Sequence, residues 1–466
     1  MSDTTFTAGT VIAAAWLNDV NKTTYKDYVN VRHHTYGAFG DGTVDDTAAI
    51  QAAINAAAAD KNRTVFFPAG VYKLTGLITI PQGIALVCSG SQGSNEAYGT
   101  VFIHYANTSC FRWDGSGAVY TGTGGGMANA LILKADGYSG GNAIECVNIS
   151  DTQRTGEMVF HNVLGYGLST GRWTRGAVFD GTATDTAGNR GVRTVYATKF
   201  RFADVTTADE TIVLNQVTHF YGTGVAADQG SGSAAGLVIK GINDGIYLLG
   251  SGIGGNVSII ANDADNATNN FHFSGKIGGT FINNDTQVEG TLQASFPGGS
   301  TVLVNKSAGL KCITNINPAW LLTNSANINN VTGDGTVYDV AFDTEKSDQG
   351  NLVSGTVNSV TIYCAGYYNL GFGCTLAGVA SGHTRSDAGI VCTGSATQSF
   401  QSIANPGVQI DPSGNYGEQV MATTVKLAYG DVVKCQVSVS NSTKVVDVVG
   451  SSGTNYTYFS GHYIPT

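Results

Sequence analysis

The stretch Tyr36–Ala57, YGAFGDGTVDDTAAIQAAINAA, combines a Gly/Asp-rich turn with the start of a helix. Asp45 or Asp46 is placed to cap the backbone N–H groups of a helix that begins near Thr47. Four apolar residues at helical spacing then share one face: Ile50, Ala53, Ile54 and Ala57. We therefore interpret the two adjacent carboxylates as turn and cap residues and not as a catalytic pair.

Short strands follow this helix. TVFFPAGVYKLTGLITI (64–80) predicts two strands around a Pro-Ala-Gly turn. From about Gly83 to Ala294, apolar runs such as ALILKADG and NAIECVNIS alternate with Gly/Asn/Asp turns, and no helix-length segment separates them. Degenerate rungs of roughly 20–25 residues indicate a parallel β-solenoid, in which each coil buries its apolar face against its neighbours. The helix would then cover the open first coil, whose strand edge otherwise invites aggregation.

The composition excludes several classes of protein. With 466 residues, the chain is expected to form two to four units. The 63 glycines and only 7 prolines favour strands joined by tight turns. A net charge of −10 argues against a basic groove for nucleic acid or anionic lipid. No run of 18 apolar residues is present, which argues against membrane insertion, and Met1–Thr10 lacks the features of a secretory signal.

The eight cysteines (88, 110, 146, 312, 364, 374, 392 and 435) never form CxxC, and several lie in strand-like runs. We interpret them as small buried hydrophobic residues and not as disulfides or zinc ligands. Gly250–Gly255 spells GxGxxG and Gly137–Gly141 spells GxSxG, but strand-like segments follow both, whereas a nucleotide site or a nucleophile elbow requires a helix there. Asp263 and Asp265 lack the rest of a calcium-loop ligand set. We expect no metal and no cofactor.

The composition also suggests domain boundaries. Ile12, Trp16 and Val20 form a narrow apolar stripe on a predicted N-terminal helix that needs a partner to be stable. An Asn/Gly/Ser-rich stretch at 297–335 suggests a neck, and longer alternating strands follow it. We predict an attachment or trimerisation segment at 1–33, a solenoid at 34–296, the neck at 297–335 and a separate domain at 336–466.

Two parts of the chain resemble known families. Tyr36–Gln51 followed by Val65–Tyr72 resembles the start of the pectate-lyase-like β-helix superfamily, in particular its bacteriophage tailspike and polysaccharide depolymerase branch. FTAGTVIAAAWLNDVN is similar to segments at the starts of phage tail proteins. VAFDTE, LAYGDVVKCQV and YFSGHYI resemble the trimeric jelly rolls of the tumour-necrosis-factor and complement-collagen type.

The resemblance implies an all-β fold: a right-handed parallel β-helix with an N-terminal helical cap and a C-terminal jelly-roll β-sandwich, assembled as a homotrimer. It also implies attachment of the N-terminus to a phage tail or baseplate protein in the virion, after synthesis in the host cytoplasm without a signal peptide. The expected partner is a bacterial surface polysaccharide, either capsule, exopolysaccharide or O-antigen.

Cleavage of a polysaccharide by hydrolysis needs two carboxyl groups, one as general acid and one as base or nucleophile. The segment FRFADVTTADETIVL is the densest acidic cluster of the solenoid. The catalytic candidates are Asp204, Glu210, Asp228, Glu157 and Asp180. Each is also compatible with a solvated turn residue.

The segment YGLSTGRWTRGAVFDG carries Trp173 in a polar, Gly-rich loop, whose composition does not favour burial. Two roles are open for Trp173: packing under the loop, or stacking on a sugar as a candidate for substrate binding. Arg175, Tyr166 and Tyr221 are further candidates for substrate binding. A lyase would instead need a base and a group that neutralises a carboxylate, and four residues keep that alternative open: His161, Arg193, Lys199 and His219. Hydrolysis is our first prediction for the reaction. A non-enzymatic receptor-binding tail fibre is the alternative from another class.

Overall fold

The computed structural model describes residues 28–59, 63–90, 99–115, 125–147, 157–181, 194–203, 205, 210–228, 235–241, 243–260, 270–297, 302–350, 357–405 and 416–465. The predicted N-terminal stripe of Ile12, Trp16 and Val20 lies outside them. The chain divides into two compact units, 1–236 and 237–466.

The first unit contains α1 (Thr47–Ala59), which is the one helix among the described residues. Its strands are β1 (Val29–Asn30), β2 (Asp41–Asp45), β3 (Thr64–Phe67), β4 (Gly70–Leu74), β5 (Ile78–Pro81), β6 (Ala85–Cys88), β7 (Thr100–His104), β8 (Phe111–Asp114), β9 (Gly125–Lys134), β10 (Asn142–Val147), β11 (Glu157–Gly167), β12 (Arg175–Asp180), β13 (Thr194–Phe202), β14 (Ile212–Asn215), β15 (His219–Thr223) and β16 (Ala226–Ala227).

These strands form two parallel sheets, and the chain passes from one to the other in successive coils. Sheet A has the order β1-β3-β6-β9-β11-β13-β15. In the same sheet β2 pairs with β4, β4 with β7 and β7 with β9, and β16 pairs with β13. Sheet B has the order β5-β8-β10-β12-β14. Parallel pairing between successive coils, with no helix between them, confirms the predicted β-helix.

The long strands of sheet A bend at one position in each coil. Asn129, Asn162 and Lys199 occupy this position with φ of 59°, 52° and 50°. Asn tolerates the left-handed backbone better than most residues. The Asn162 side-chain amide also donates a hydrogen bond of 3.1 Å to the Asn129 side-chain oxygen in the neighbouring coil. The bend divides each long strand into two faces that point in different directions.

Aromatic side chains stack along the core of this unit. Successive ring centroids lie 4.9–5.7 Å apart in two series: Phe67, Phe102 and Phe111, and then Trp113, Phe160, Phe179 and Phe220. All of these side chains are buried. Each coil therefore uses the coils on either side as its core, which is why a parallel coil is stable only in a stack.

The helix α1 packs on β1, β3 and β5, which are the first strands of the stack. Its buried residues are the four predicted from their spacing: Ile50, Ala53, Ile54 and Ala57. Asp45 accepts a hydrogen bond from the backbone N–H of Thr47 at 3.0 Å, and Asp46 accepts from Phe39 N and Gly40 N at 2.6 and 3.0 Å. The acidic cluster therefore caps the helix and fixes the preceding turn, as predicted.

The second unit begins with parallel strands and continues with antiparallel ones. Its strands are β17 (Ala235–Lys240), β18 (Gly245–Ile253), β19 (Asn256–Ile260), β20 (Phe271–Ile277), β21 (Phe281–Asn283), β22 (Gly290–Ser295), β23 (Leu303–Asn305), β24 (Leu310–Thr314), β25 (Ala319–Thr323), β26 (Ile328–Thr332), β27 (Tyr338–Asp339), β28 (Thr344–Gln349), β29 (Val360–Thr361), β30 (Gly366–Ala377), β31 (Arg385–Thr393), β32 (Gln398–Ala404), β33 (Gly417–Leu427), β34 (Val432–Ser440), β35 (Val446–Val448) and β36 (Tyr458–Ile464).

Within this unit, β18, β20, β22 and β24 pair in parallel, as do β17, β19, β21 and β23. Sheet C is antiparallel, with the order β26-β35-β30-β36-β25-β28 and β33 beside β30. Sheet D has the order β27-β34-β31-β32, with β29 beside β34. This confirms the predicted C-terminal antiparallel sandwich. Strand pairing changes from parallel to antiparallel between Thr314 and Ala319, inside the stretch predicted as a neck. The predicted domain boundaries stay predictions.

The motifs set aside in the sequence have the expected surroundings. Gly250–Gly255 joins β18 to β19 and Gly137–Gly141 leads into β10, so strands and not helices follow both glycine motifs. All eight cysteines are buried and unpaired, as predicted. Asp263 and Asp265 lie outside the described residues. No helix in the described part of the chain is long and apolar enough to cross a membrane.

Candidate functional site

The outer face of sheet B carries a concentration of charged side chains. Alternate residues of its strands point inward and are buried, among them Trp113, Cys146 and Phe179. Because successive side chains of a strand point to opposite faces, the residues between them point outward. The outward positions include Arg112 and Asp114 on β8, Glu145 on β10, Asp180 on β12 and Asn215 on β14.

The register aligns these residues in rows that cross the strands. One row contains Arg112, Glu145, Val178 and Val213. In the next row, Asp114 pairs with Val147 and Asp180 pairs with Asn215, while the pairing of Cys146 with Phe179 places Val147 beside Asp180. Asp114 and Asp180 therefore lie in one row with a single strand between them.

Glu145 is fixed by its neighbours. Its carboxylate accepts hydrogen bonds from the Ser109 hydroxyl and from Arg112 Nε, and it accepts one from the Asn142 amide at 2.6 Å. The residue is only 7% exposed. Three donors occupy most of the acceptor capacity of a carboxylate. Glu145 therefore holds Arg112 on the outer face and is not placed to exchange a proton with a substrate.

A second ion pair lies in the neighbouring coil. Arg175 Nε and Nη2 approach Glu210 Oε2 at 2.9 and 2.8 Å, and both side chains are partly exposed. Arg175 is the first residue of β12 and pairs with Asn142, so this ion pair lies on the same sheet as Glu145. Asp180, at the other end of β12, accepts a hydrogen bond of 3.3 Å from the Asn215 amide.

Three of the sequence candidates thus lie on or directly beside sheet B: Arg175 and Asp180 at the two ends of β12, and Glu210 just before β14. The other candidates that it describes lie elsewhere. Glu157 is exposed at the start of β11 in sheet A, and Asp228 is exposed after β16, with its backbone N–H bonded to Phe202 O at 2.8 Å. Asp204 lies outside the described residues.

Of the two roles open for Trp173, the structure confirms packing under the loop, and the role in stacking on a sugar is wrong. Its side chain is fully buried, and its indole N–H donates a hydrogen bond of 3.2 Å to Tyr166 O. The glycine-rich loop makes this possible, because a Cβ at Gly171 would collide with the backbone oxygens of Lys134 and Ala135. The close turn directs Trp173 inward, where it cannot stack on a sugar.

Trp173 closes a buried polar cluster with His104 and Lys134. The rings of Trp173 and His104 stack at 5.7 Å, and Lys134 Nζ lies 4.4 Å from the Trp173 ring centroid. Lys134 Nζ also donates to Gly140 O at 2.6 Å and to Thr108 O at 3.3 Å, and it contacts His104 Nδ1 at 3.2 Å. Burial lowers the pKa of Lys134 to about 8. Burial and the nearby Lys134 charge lower the pKa of His104 to about 3.

The two tyrosine candidates have different surroundings. Tyr166 is half-buried against the apolar cluster of Val71, Val101, Leu131 and Leu133. Tyr221 is 39% exposed on sheet A, where it stacks on Tyr196 at 5.3 Å and lies parallel to His219 at 6.0 Å. Tyr221 therefore remains available to a ligand, but on a different sheet from Asp180.

The sequence reasoning did not select Arg112, Asp114 or Glu145. The signal was present in FRWD, where Arg112 and Asp114 alternate with buried Phe111 and Trp113, as outward positions of a strand do. Their alignment with residues of later coils depends on coil lengths that vary. In the described part of the chain, no group of three His, Cys, Asp or Glu residues is arranged to hold a metal ion.

Comparison with known proteins gives a family and several partial likenesses. The chain matches the family described as rhamnogalacturonase A/epimerase, pectate lyase-like, over residues 28–288. It is 46% identical over 66 residues to a glucan 1,3-beta-glucosidase of Cochliobolus carbonum, which covers 14% of this chain and 8% of the relative. It is 47% identical over 62 residues to the mannuronan C5-epimerase AlgE5 of Azotobacter vinelandii, covering 12% and 6%.

Each of these matches spans less than a tenth of the relative. Among solved structures, murine APRIL is 14% identical with a TM-score of 0.24, over 32% of this chain and 98% of that chain. The globular domain of the zebrafish complement 1qA protein is 15% identical with a TM-score of 0.22, over 32% and 97%. Scores this low support no inference about this chain. The family match, in contrast, extends over more than half of the chain, and the protein belongs to the rhamnogalacturonase A/epimerase, pectate lyase-like family.

Proposed function

We propose that this chain binds a bacterial surface polysaccharide on the outer face of sheet B and cleaves it by glycosidic hydrolysis. Membership of the pectate lyase-like family supports an activity on carbohydrates in general. The segments similar to a glucosidase and to a mannuronan epimerase point the same way. The reaction itself is inferred from the arrangement of side chains on sheet B.

The observation that carries the proposal is the row containing Asp114 and Asp180. Neighbouring strands lie about 4.8 Å apart, so one intervening strand puts the two Cα atoms about 9–10 Å apart. Inverting glycosidases hold their two carboxyl groups about 6.5–9.5 Å apart, which leaves room for the attacking water. The separation of the two positions is compatible with this range. We assign one as the general acid and the other as the general base.

The neighbouring ion pairs suit a role in substrate binding. Arg112 is held by Glu145 on β10 and Arg175 by Glu210 just before β14, and each arginine keeps about a third of its side chain exposed. A guanidinium in a fixed orientation offers several N–H donors to sugar hydroxyl or carboxylate groups. Rigid strands hold the acid, the base and both arginines, and catalysis requires such fixed distances.

Four carboxamide variants test the location of the reaction. Asp114→Asn and Asp180→Asn should each lower kcat by about 10²–10⁴-fold, because each removes one proton-transferring group. Glu157→Gln and Asp228→Asn change exposed carboxylates away from sheet B and should retain activity. New reducing ends are measured on capsular polysaccharide, O-antigen, 1,3-β-glucan, mannuronan and rhamnogalacturonan. Loss of activity in the second pair and not in the first would move the site away from sheet B.

Analysis of the products separates the alternative reactions. The alternative of a lyase or an epimerase is supported by the family and by Arg112 and Arg175, which are suited to neutralise a uronate carboxylate. A lyase would generate the absorbance of an unsaturated uronate, and an epimerase would change the sugar stereochemistry seen by NMR without shortening the chain. Binding without any product would identify a non-enzymatic receptor-binding fibre.

We further propose that the protein is a phage tailspike. In this proposal it is a homotrimer in the virion, attached through residues 1–33 to a tail or baseplate protein and trimerised through 336–466. The support is the sequence resemblance of FTAGTVIAAAWLNDVN and of the C-terminal segments. Light scattering should give about three times the chain mass of 48.2 kDa. A monomer at micromolar concentration would contradict the assembly.

A further inference from the structure

A shallow groove with a volume of about 460 Å³ crosses the outer faces of β20, β22 and β24 in the second unit. Most of its lining residues are polar or small, among them Ser274, Gln293, Ser295, Asn315, Gly275 and Ala294, and Ile313 is apolar. We name it the Gln293 groove. Its strands carry none of the carboxylates assigned to the proposed reaction.

The strand register orders the residues of the groove. Ser274, Gln293 and Ile313 form one row across the three strands, and Gly275, Ala294 and Thr314 form the next. Gly275 has a φ of 155°, and a Cβ there would collide with Ser251 O. Glycine at this position therefore lets β20 approach the backbone of β18 closely, and it adds no side chain to the groove.

The polar side chains of the groove are placed for a ligand. Among the described residues, none forms a hydrogen bond with the side chains of Ser274, Gln293 or Ser295. Hydroxyl and amide groups both donate and accept, as sugar hydroxyls do. The Asn315 side chain is fixed by Phe296, accepting from its N–H at 2.8 Å and donating to its carbonyl at 2.9 Å. The groove thus combines a fixed wall with unused hydrogen-bonding groups.

Two lysines flank the groove. Lys276 pairs with Ser295. Lys311 pairs with Thr291, which lies two residues before Gln293 on the same face of β22. Neither lysine forms an ion pair with another described residue, and β20, β22 and β24 contain no Asp or Glu. The exposed Glu289 lies directly before β22 on the same face, so two lysines face one carboxylate here and the local charge is positive in a chain with a net charge of −10. Such a surface attracts an anionic ligand.

We propose that the Gln293 groove is a non-catalytic binding site for a polyuronate, a polysaccharide that carries a carboxylate on each sugar. The lysines attract the carboxylates, while Ser274, Gln293 and Ser295 bind hydroxyl groups. His272 lies in the same row as Lys311 and stacks on Tyr247 at 5.2 Å, which adds an aromatic surface at one end. Ile313 is the one large apolar side chain that lines the groove, whereas the center of a protein interface is mostly apolar. A second copy of the chain is therefore the less suitable occupant.

Affinity electrophoresis tests the site, with the full chain carrying Asp180→Asn so that the polymer is not cleaved. The gels contain polygalacturonate or polymannuronate, with dextran as the neutral control. At least one polyuronate should retard the protein, and dextran should not. Lys276→Gln with Lys311→Gln should weaken binding at least about tenfold. Ser295→Trp should abolish binding by filling the groove. Lys346→Gln, which removes an exposed charge on β28, should change nothing.

Three results would overturn the proposal. They are no retardation by either polyuronate, equal retardation by dextran, and full retardation of both groove variants. In the third case, a decrease in assembled mass for Ser295→Trp would identify the groove as a contact between copies. The proposal does not rest on the proposed reaction. If the wild-type chain cleaves no polysaccharide while the groove variants still lose binding, only the reaction assignment fails.

Discussion

Lys134 should titrate at a much lower pH than the other lysines of this protein. Its side chain is fully buried beside His104 and Trp173, and burial lowers its pKa from 10.5 to about 8. Loss of the proton leaves a neutral amine that still donates to Gly140 O. The native structure therefore tolerates both forms, but it favours the neutral form more than the unfolded chain does.

The sign and the magnitude follow from linkage. Between pH 8 and 10.5 the unfolded chain binds more protons at Lys134 than the folded chain, so this group makes stability rise with pH. From pH 7 to 9.5, the two pKa values give an increase of about 2 kcal/mol in the free energy of unfolding. Buried thiols oppose it: burial raises the pKa of Cys88, Cys110 and Cys146, so the unfolded chain loses their protons first.

The Lys134→Met variant separates the two effects, because both proteins contain the same thiols. Urea unfolding at pH 7 and pH 9.5 should show that the stability of the wild type, relative to the variant, increases by about 2 kcal/mol. Lys199→Met, which changes an exposed lysine of the same unit, should show no such increase.

NMR of ¹³C-labelled lysine side chains gives an independent measurement of the same pKa. One resonance should titrate near pH 8 and be absent from Lys134→Met. If every lysine titrated near 10.5, as an exposed amine does, the reasoning about burial would be refuted.

Three further predictions concern the same unit. Burial and the Lys134 charge lower the pKa of His104 to about 3, so on acidification the unfolded chain binds this proton before the folded chain does. Urea unfolding should therefore show that the free energy of unfolding falls by ~2 kcal/mol from pH 7 to 5 in the wild type, and this loss should be absent from His104→Gln. Asp46→Ala removes two hydrogen bonds of a buried carboxylate and should lower the stability measured by thermal unfolding by about 2–3 kcal/mol. Asp45→Ala removes an exposed helix cap and should lower it by about 1 kcal/mol. Equal losses would contradict the assigned roles. Trp173→Ala removes a buried ring and should lower the stability by about 3–5 kcal/mol, while glycan affinity below the melting temperature stays unchanged. Weaker glycan binding at unchanged stability would instead support a direct contact between Trp173 and the sugar.

The sequence alone determined the features that depend on local chemistry. The 3.6-residue spacing of Ile50, Ala53, Ile54 and Ala57 defined the buried face of α1, because each of these positions contacts the same first coil. Short apolar runs between Gly and Asn turns, without intervening helices, indicated parallel coils. The strands after the two glycine motifs excluded a nucleotide site and a nucleophile elbow for the same local reason.

Tertiary structure decided which residues meet. Asp114 and Asp180 share a row only because β10 pairs with β8 on one side and with β12 on the other in matching register, and no local periodicity encodes that alignment. Trp173 is in a loop whose composition does not favour burial, yet Gly171 lets the backbone approach Lys134 and Ala135 so closely that the ring enters the core. Hydrogen-bond register between distant coils and the close approach of backbones are properties of the packed stack. For that reason the sequence predicted the coils of this protein but not the arrangement of the side chains on their outer faces.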